Sequence, residues 1–339
     1  MNYIIFYILV IAASFAQSNS CSTEQNGCTF ILNCENYIDQ NLQWSTFSSM
    51  YSTRISCENP ISYAGYGIYP VKLIFKMNGN DPTTEVPQSS SEPYRSSRRH
   101  WGDQQTDGHI HDIVQSLDLS HNEYTETPTI RSMMNLMKLD LSNNHLTTAK
   151  LSNLNELYAL TQLNLSYNRI SDIQIDQNPY KKLVDVDISN NYLVKIPDAI
   201  FDKFDYLQIL DLSHNYIDTL SQLTFEGIKK IKKLNLSNNR LTDINNSLFR
   251  FNDLNILNLS GNRIKDLNMN DFEQLHNLET LDLSSNMIKT IKFNVFAAMT
   301  LLETLDLSNN QLEIVKQNTF FTLQSLHTIN LSKNKLKIL

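Results

Sequence analysis

Leu207-Gln-Ile-Leu-Asp-Leu-Ser-His-Asn-Tyr-Ile217 is one copy of an eleven-residue phrase, L-x-x-L-x-L-S-x-N-x-L, that returns ten times in this 339-residue chain. Leu302-Glu-Thr-Leu-Asp-Leu-Ser-Asn-Asn-Gln-Leu312 is another clear copy. The ninth position is Asn throughout: Asn122, Asn144, Asn168, Asn191, Asn215, Asn239, Asn262, Asn286, Asn310 and Asn334. The steps between them are 22, 24, 23, 24, 24, 23, 24, 24 and 24 residues. A period this steady decides architecture before local propensity does. Each unit is too short to bury its own apolar face, so consecutive units must stack.

The chemistry of each position is legible. Positions 4 and 6, such as Leu210 and Leu212, alternate with polar residues, the two-residue period of a strand buried on one side. Position 9 needs a short side chain that both donates and accepts, to satisfy backbone groups where the chain leaves the strand. A Phe stands at position 19 in six consecutive repeats: Phe201, Phe225, Phe249, Phe272, Phe296 and Phe320. Stacked, these rings predict an aromatic spine behind the sheet. Repeats 1 to 3 are degenerate there, with Thr127 and Ala149 where a larger apolar residue is expected.

On these residues, 114–339, about two thirds of the chain, resemble the leucine-rich repeat family, in the typical class of extracellular proteins. The resemblance implies an α/β solenoid: a horseshoe with a concave parallel sheet of about ten short strands and a convex side of loops and short helical turns. Residues 113–339 form the repeat domain, its last unit stopping at Leu339, position 14. That stop leaves an open hydrophobic edge. The expectation is a longer protein read incompletely; the alternative is a partner over the edge, including a homodimer through that edge or the concave face.

Residues 1–16 look like a secretory signal peptide: residues 3–13 are nearly all apolar, too short to span a bilayer, and small residues follow. No other segment reaches membrane-spanning length. All four cysteines, Cys21, Cys28, Cys34 and Cys57, follow that signal within residues 17–78. In an exported chain an even cluster reads as two disulfides, with three pairings open. The position resembles the cysteine-rich N-terminal cap of extracellular leucine-rich repeat proteins, although the C-x6-C-x5-C-x22-C spacing is looser. A zinc site is the rival reading, without a C-x2-C pair to support it. Val71, Leu73, Phe75 and Met77 alternate with Lys72, Ile74 and Lys76, which predicts a strand and a degenerate first repeat. Residues 79–112 are polar and lack an apolar period, so a mobile insertion is expected. It holds Arg95-Ser-Ser-Arg98-Arg99, a processing candidate or a solvated cluster, and His100, His109, His111 and Asp112, which lack a scaffold for a metal.

The exposed concave positions are expected to be 3, 5, 7 and 8. Position 5 is Asp six times and Asn four times, a ladder that offers cation recruitment on one reading and family habit on the other. Position 10 runs Glu123, His145, Arg169, Tyr192, Tyr216, Arg240, Arg263, Met287, Gln311, Lys335. Its middle members are Tyr and Arg, residue types enriched in binding hot spots. With Tyr167, His214, Ile209 and Ile256 nearby they form a candidate protein-binding patch across repeats 3 to 7. Five sequons are present: Asn164, Asn235, Asn258 and Asn330 at position 5, and Asn245 behind the strand. Asn245 is the most credible glycan site.

No catalytic motif, cofactor motif or metal-ligand spacing stands out. A net charge of −7 lacks the basic footprint of nucleic-acid binding. The sequence therefore predicts a non-enzymatic, secreted or cell-surface module that binds a protein. The family resemblance implies roles in adhesion, innate immune recognition or a Toll-like receptor ectodomain; an extracellular-matrix protein similar to the small leucine-rich proteoglycans is the alternative.

Overall fold

The computed structural model describes the backbone of residues 21–26, 29–34, 61–63, 66–68 and 71–77. It describes residues 114–130, 133–175, 182–202, 204–244, 247–248 and 251–337 in full, save the side chain of residue 269. The expected signal peptide, the expected insertion at 79–112 with its Arg and His residues, Cys28, Cys57, Asn245 and Phe249 lie outside the described residues.

The chain divides into two compact units, residues 1–146 with 150–160, and residues 147–149 with 161–339. In the first, β1 (Cys21–Asn26) and β2 (Thr29–Cys34) form an antiparallel hairpin in which Cys21 and Cys34 are ladder partners. A second hairpin joins β3 (Ile61–Tyr63) to β4 (Tyr66–Ile68). The strand expected from the alternation at 71–77 is β5 (Val71–Met77). It runs parallel to β2 on one side and to β6 (Val114–Asp118) on the other, and β6 pairs in parallel with β7 (Lys138–Asp140). Thr127, expected as a damaged core position, is 2% exposed and does polar work. Its hydroxyl accepts from the Lys150 amide at 3.0 Å, and its carbonyl accepts from the Asn153 side chain at 2.6 Å.

Two short strands, β8 (Thr148–Lys150) and β10 (Asp172–Gln174), lie outside the main ladder. The second unit is built on β9 (Gln162–Asn164), β11 (Asp185–Asp187), β12 (Ile209–Asp211), β13 (Lys233–Asn235), β14 (Ile256–Asn258), β15 (Thr280–Asp282), β16 (Thr304–Asp306) and β17 (Thr328–Asn330). All pair in parallel and strictly in register. The central column Leu163, Val186, Leu210, Leu234, Leu257, Leu281, Leu305 is buried, each residue at most 2% exposed. This is a parallel-sheet solenoid of eight turns. The helical half of an expected α/β repeat is reduced: among the described residues there is no α-helix, only 3-10 turns at Leu151–Leu154 and Met269–Asp271. A 24-residue step leaves little chain for more once strand and turns are counted.

The aromatic spine exists in pieces. Phe201 and Phe225 stack at 6.3 Å, Phe272 and Phe296 at 6.4 Å, and Phe296 and Phe320 at 6.1 Å. Phe225 also meets Phe251 at 5.5 Å. Neighbouring strands lie about 4.8 Å apart, so the wider rungs behind them taper this unit toward its sheet. Gly227 makes one tight approach possible. At φ +92, a Cβ there would sit 2.2 Å from the Asp202 Cα of the preceding repeat.

The Asn ladder ties coil to coil. Asn239 Nδ2 donates to the Leu212 carbonyl of the preceding repeat at 2.9 Å and to the Leu236 carbonyl of its own at 3.1 Å. Its Oδ1 accepts from the Ile217 amide at 3.0 Å. Asn191, Asn215, Asn262, Asn286 and Asn310 repeat this pattern. These side chains replace the backbone partners that the chain lacks where it turns off the sheet.

Candidate functional site

The sheet face has less free chemistry than its sequence suggests. In all ten repeats the position-5 Asp or Asn turns its Oδ1 back onto the amide of the position-7 Ser, at 2.7–3.1 Å. This is an Asx-turn, and it explains why only these two residue types occupy position 5. One oxygen of every position-5 side chain is thus engaged in closing its turn, and Oδ2 of Asp211 and Asp306 accepts from Asn235 and Asn330 as well. At Asp306 burial pushes the carboxyl pKa up, but hydrogen bonds from Ser308 and Asn330 outweigh it, and the net shift is downward.

One expectation about this face is corrected. Position 7 is not an exposed row: Ser142, Ser166, Ser189, Ser213 and Ser237 are 4–6% exposed, Ser120, Ser260, Ser284 and Ser308 are half-buried, and only Ser332 is exposed among the ten. Position 8 is exposed or half-exposed as expected, and its backbone leaves the extended conformation. His121, Asn143, Tyr167, Asn190, His214, Asn238, Gly261, Ser285, Asn309 and Lys333 all have φ between 53° and 66°. The left-handed conformation there favours Asn and Gly, which accounts for five of the ten residues at this position. Tyr167 and His214 hold it against preference, at a cost of about 1 kcal/mol each. Both are exposed, and the His214 ring lies 3.2 Å from the Asn238 amide.

The position-10 column is the best organised exposed feature. The backbone ladder extends past the strand: the amides of Tyr192, Tyr216, Arg240 and Arg263 donate to the carbonyls of Ile170, Leu193, Ile217 and Leu241 at 2.8 Å. Consecutive side chains therefore stand one coil apart on a fixed frame. The Tyr192 and Tyr216 rings meet with centroids 5.8 Å apart, tilted by 35°. The Arg240 guanidinium lies over the Tyr216 ring at 4.3 Å. Tyr167, Tyr192 and Tyr216 are 58%, 49% and 39% exposed, and Arg169 and Arg263 are exposed too. Holding three side chains against one another in advance lowers the entropy lost when a partner immobilises them. The sequence named these residues; their mutual contact was not readable from spacing alone. Ile209 and Ile256 are half-buried on the sheet, one on each side of Lys233 in the ladder, which separates them from each other.

The sequons at position 5 differ in their surroundings. Asn235 donates its amide to Asp211, and Asn330 donates to Asp306, both at 2.9 Å. Asn164 and Asn258 carry the Asx-turn bonds to Ser166 and Ser260.

The Leucine rich repeat family model matches residues 181–241, 229–288 and 252–312, with further leucine-rich repeat matches at 135–157 and 160–173. Leucine-rich repeat-containing G-protein coupled receptor 5 of Rattus norvegicus is 28% identical over 149 residues, 41% of this chain. The chain spans 16% of that receptor's length. The crystal structure of the TLR13–ssRNA13 complex shares 30% identity at a TM-score of 0.61, covering 67% of this chain and 33% of that one. An internalin C2 from Listeria monocytogenes has a similar fold, at 22% identity and a TM-score of 0.50, covering 59% of this chain and 82% of its own. The chain is a leucine-rich repeat protein, similar to Toll-like receptor ectodomains. Among the described residues no helix is long and apolar enough to cross a membrane.

Proposed function

We propose that the chain is a non-enzymatic, exported recognition module that binds a protein through the flank formed by Tyr192, Tyr216 and Arg240. The observation that carries this reading is the pre-stacked Tyr–Tyr–Arg column at 5.8 and 4.3 Å on a ladder of backbone hydrogen bonds. Aromatic and Arg side chains of this kind supply large contact area at low entropic cost. The likeness to receptors supports an extracellular or cell-surface setting. The leader-like residues 1–16 and the four early cysteines support export. A disulfide-bearing cap over residues 17–78 belongs to the same reading. The β1–β2 hairpin supports it by ending the parallel sheet of the first unit on an antiparallel strand.

The solved TLR13 structure holds single-stranded RNA. In this chain the pre-stacked Tyr192–Tyr216–Arg240 column offers the residue types enriched in protein interfaces, and a protein is favoured. The test expresses the full chain in secreting eukaryotic cells and cross-links the secreted protein to intact cell surfaces. Recovery of one defined surface protein by the wild type, and its loss in Tyr192→Ala/Tyr216→Ala/Arg240→Ala with unchanged circular dichroism, supports the reading. Retention of the chain in the cytosol, or equal capture by both forms, refutes it.

A further inference from the structure

At the opposite edge of the sheet, where the strand enters, the junction of repeats 5 and 6 carries Lys229-Lys230-Ile231-Lys232-Lys233. Ile228 and Ile231 are each 1% exposed and pin this turn into the core, while all four lysines are exposed. The amides of Lys232 and Lys233 both donate to the Gln208 carbonyl, at 2.8 and 2.9 Å, so the turn is tied to the preceding coil. Lys230 rests its ammonium 4.1 Å from the centre of the Tyr206 ring. Lys233 stands between Ile209 and Ile256 in the ladder, a setting that suits its aliphatic stem and leaves its charge in water. None of the four makes an ion pair among the described residues, unlike Lys337, which meets Glu313 at 3.4 Å. The flanking coils place Asp205 and Asp253 at equivalent positions and Glu226 precedes the turn, so the four lysines outnumber these carboxylates by one.

We propose that this lysine turn is a binding site for a sulfated polysaccharide. Charges more than a Debye length of about 8–10 Å away are screened, so the local surplus decides here against the net charge of −7. Ammonium groups on flexible stems act as point charges and suit sulfates of varied orientation. Single-stranded nucleic acid is the weaker fit, because its binding draws on free aromatic stacking faces. The neighbouring Tyr206 ring is already covered by Lys230. The choice of a sulfated polysaccharide rests on the export reading; the anion site itself does not.

The experiment uses the purified full chain and measures heparin affinity and its salt dependence. The variant Lys229→Gln/Lys230→Gln/Lys232→Gln/Lys233→Gln is compared with Lys195→Gln/Lys265→Gln/Lys289→Gln/Lys316→Gln, which removes equal charge elsewhere. The first should bind about tenfold more weakly or worse with a shallower salt slope, and the second should change less than about twofold. Arg at the same four sites should restore binding, and desulfated heparin should not bind wild type. Equal loss in the two Gln variants overturns the site. A single-stranded oligothymidylate, or phosphatidylserine vesicles, depending on the turn more strongly than heparin does overturns the ligand class. Because binding is read on purified chain, its outcome is independent of whether the cells secrete the protein.

Discussion

Replacing Asn239 by Ala should destabilise the solenoid at its centre by about 2–4 kcal/mol. The Asn239 side chain is 6% exposed and makes four hydrogen bonds. Truncation does not strand all four partners equally. The Leu212 carbonyl keeps Asn215 at 3.2 Å, the Leu236 carbonyl keeps Asn262 at 2.9 Å, and the Ser237 carbonyl keeps the His214 amide at 2.9 Å. The Ile217 amide loses its acceptor, and Ile217 is fully buried. One stranded buried donor costs about 1–3 kcal/mol, and three weakened acceptors add about 1 kcal/mol together. Asn334→Ala is the internal control. Asn334 makes the same set of bonds, but it is half-buried, so water can reach the Leu331 and Ser332 carbonyls, and the cost should fall below that at Asn239 even though the Leu312 amide it leaves is also fully buried. Urea unfolding followed by circular dichroism reads the total, and hydrogen exchange at the Ile217 amide reads the local effect. A repeat array need not unfold in one step, so the exchange measurement carries the decision. Equal costs at Asn239 and Asn334, or unchanged protection of Ile217, would refute the account of the ladder.

Gly227→Ala should be far worse than Gly261→Ala: the first drives a Cβ to 2.2 Å from Asp202 backbone, while the second meets the movable Asn238 Oδ1 at 2.4 Å. Losses of about 3 kcal/mol and about 1 kcal/mol, measured by denaturation, are expected. Burial holds the Tyr124 phenol well above its ordinary value of 10.0. A group whose folded pKa is raised contributes stability below its unfolded value and loses it as pH climbs toward the folded one. The wild type should therefore weaken above about pH 10, and Tyr124→Phe should flatten that limb; identical alkaline melting curves would count against it. Asp306 is the converse: its folded pKa is lowered, so its contribution is present at neutral pH and fades as pH falls through that value. Acid titration of stability should show a smaller loss in Asp306→Asn, which keeps the Asx-turn oxygen. Tyr216→Ala should change stability by less than about 1 kcal/mol, since both its contacts are at the surface, while abolishing partner capture.

Much of the fold could be read from the period. Leu at positions 4 and 6 and Asn at position 9 are dictated by the neighbouring coil, and every coil presents the same neighbour. Residue identity therefore reports structure directly there. The strand at 71–77 was legible for a similar reason, because its alternation matches one buried face. Position 8 is exposed or half-exposed as the sequence suggested, but its left-handed backbone was harder to read. Its signal was present in the Asn and Gly it carries, but Tyr167, His214 and Lys333 at the same place obscured it. Position 7 was misread because a serine's exposure is set by the coils around it, which residue identity alone does not report.

The sequence by itself determined the stacking unit, its period, the buried Leu column and the Asn ladder, because each of these is a local pattern repeated against an identical partner. It also singled out Tyr192, Tyr216 and Arg240 as departures from that pattern. The tertiary structure alone decided that these three touch, that Oδ1 of each position-5 side chain closes a turn, and that the four lysines of 229–233 make no ion pair among the described residues. Contacts between coils join residues some 24 positions apart. Their geometry follows from register and side-chain direction, which composition and spacing do not carry.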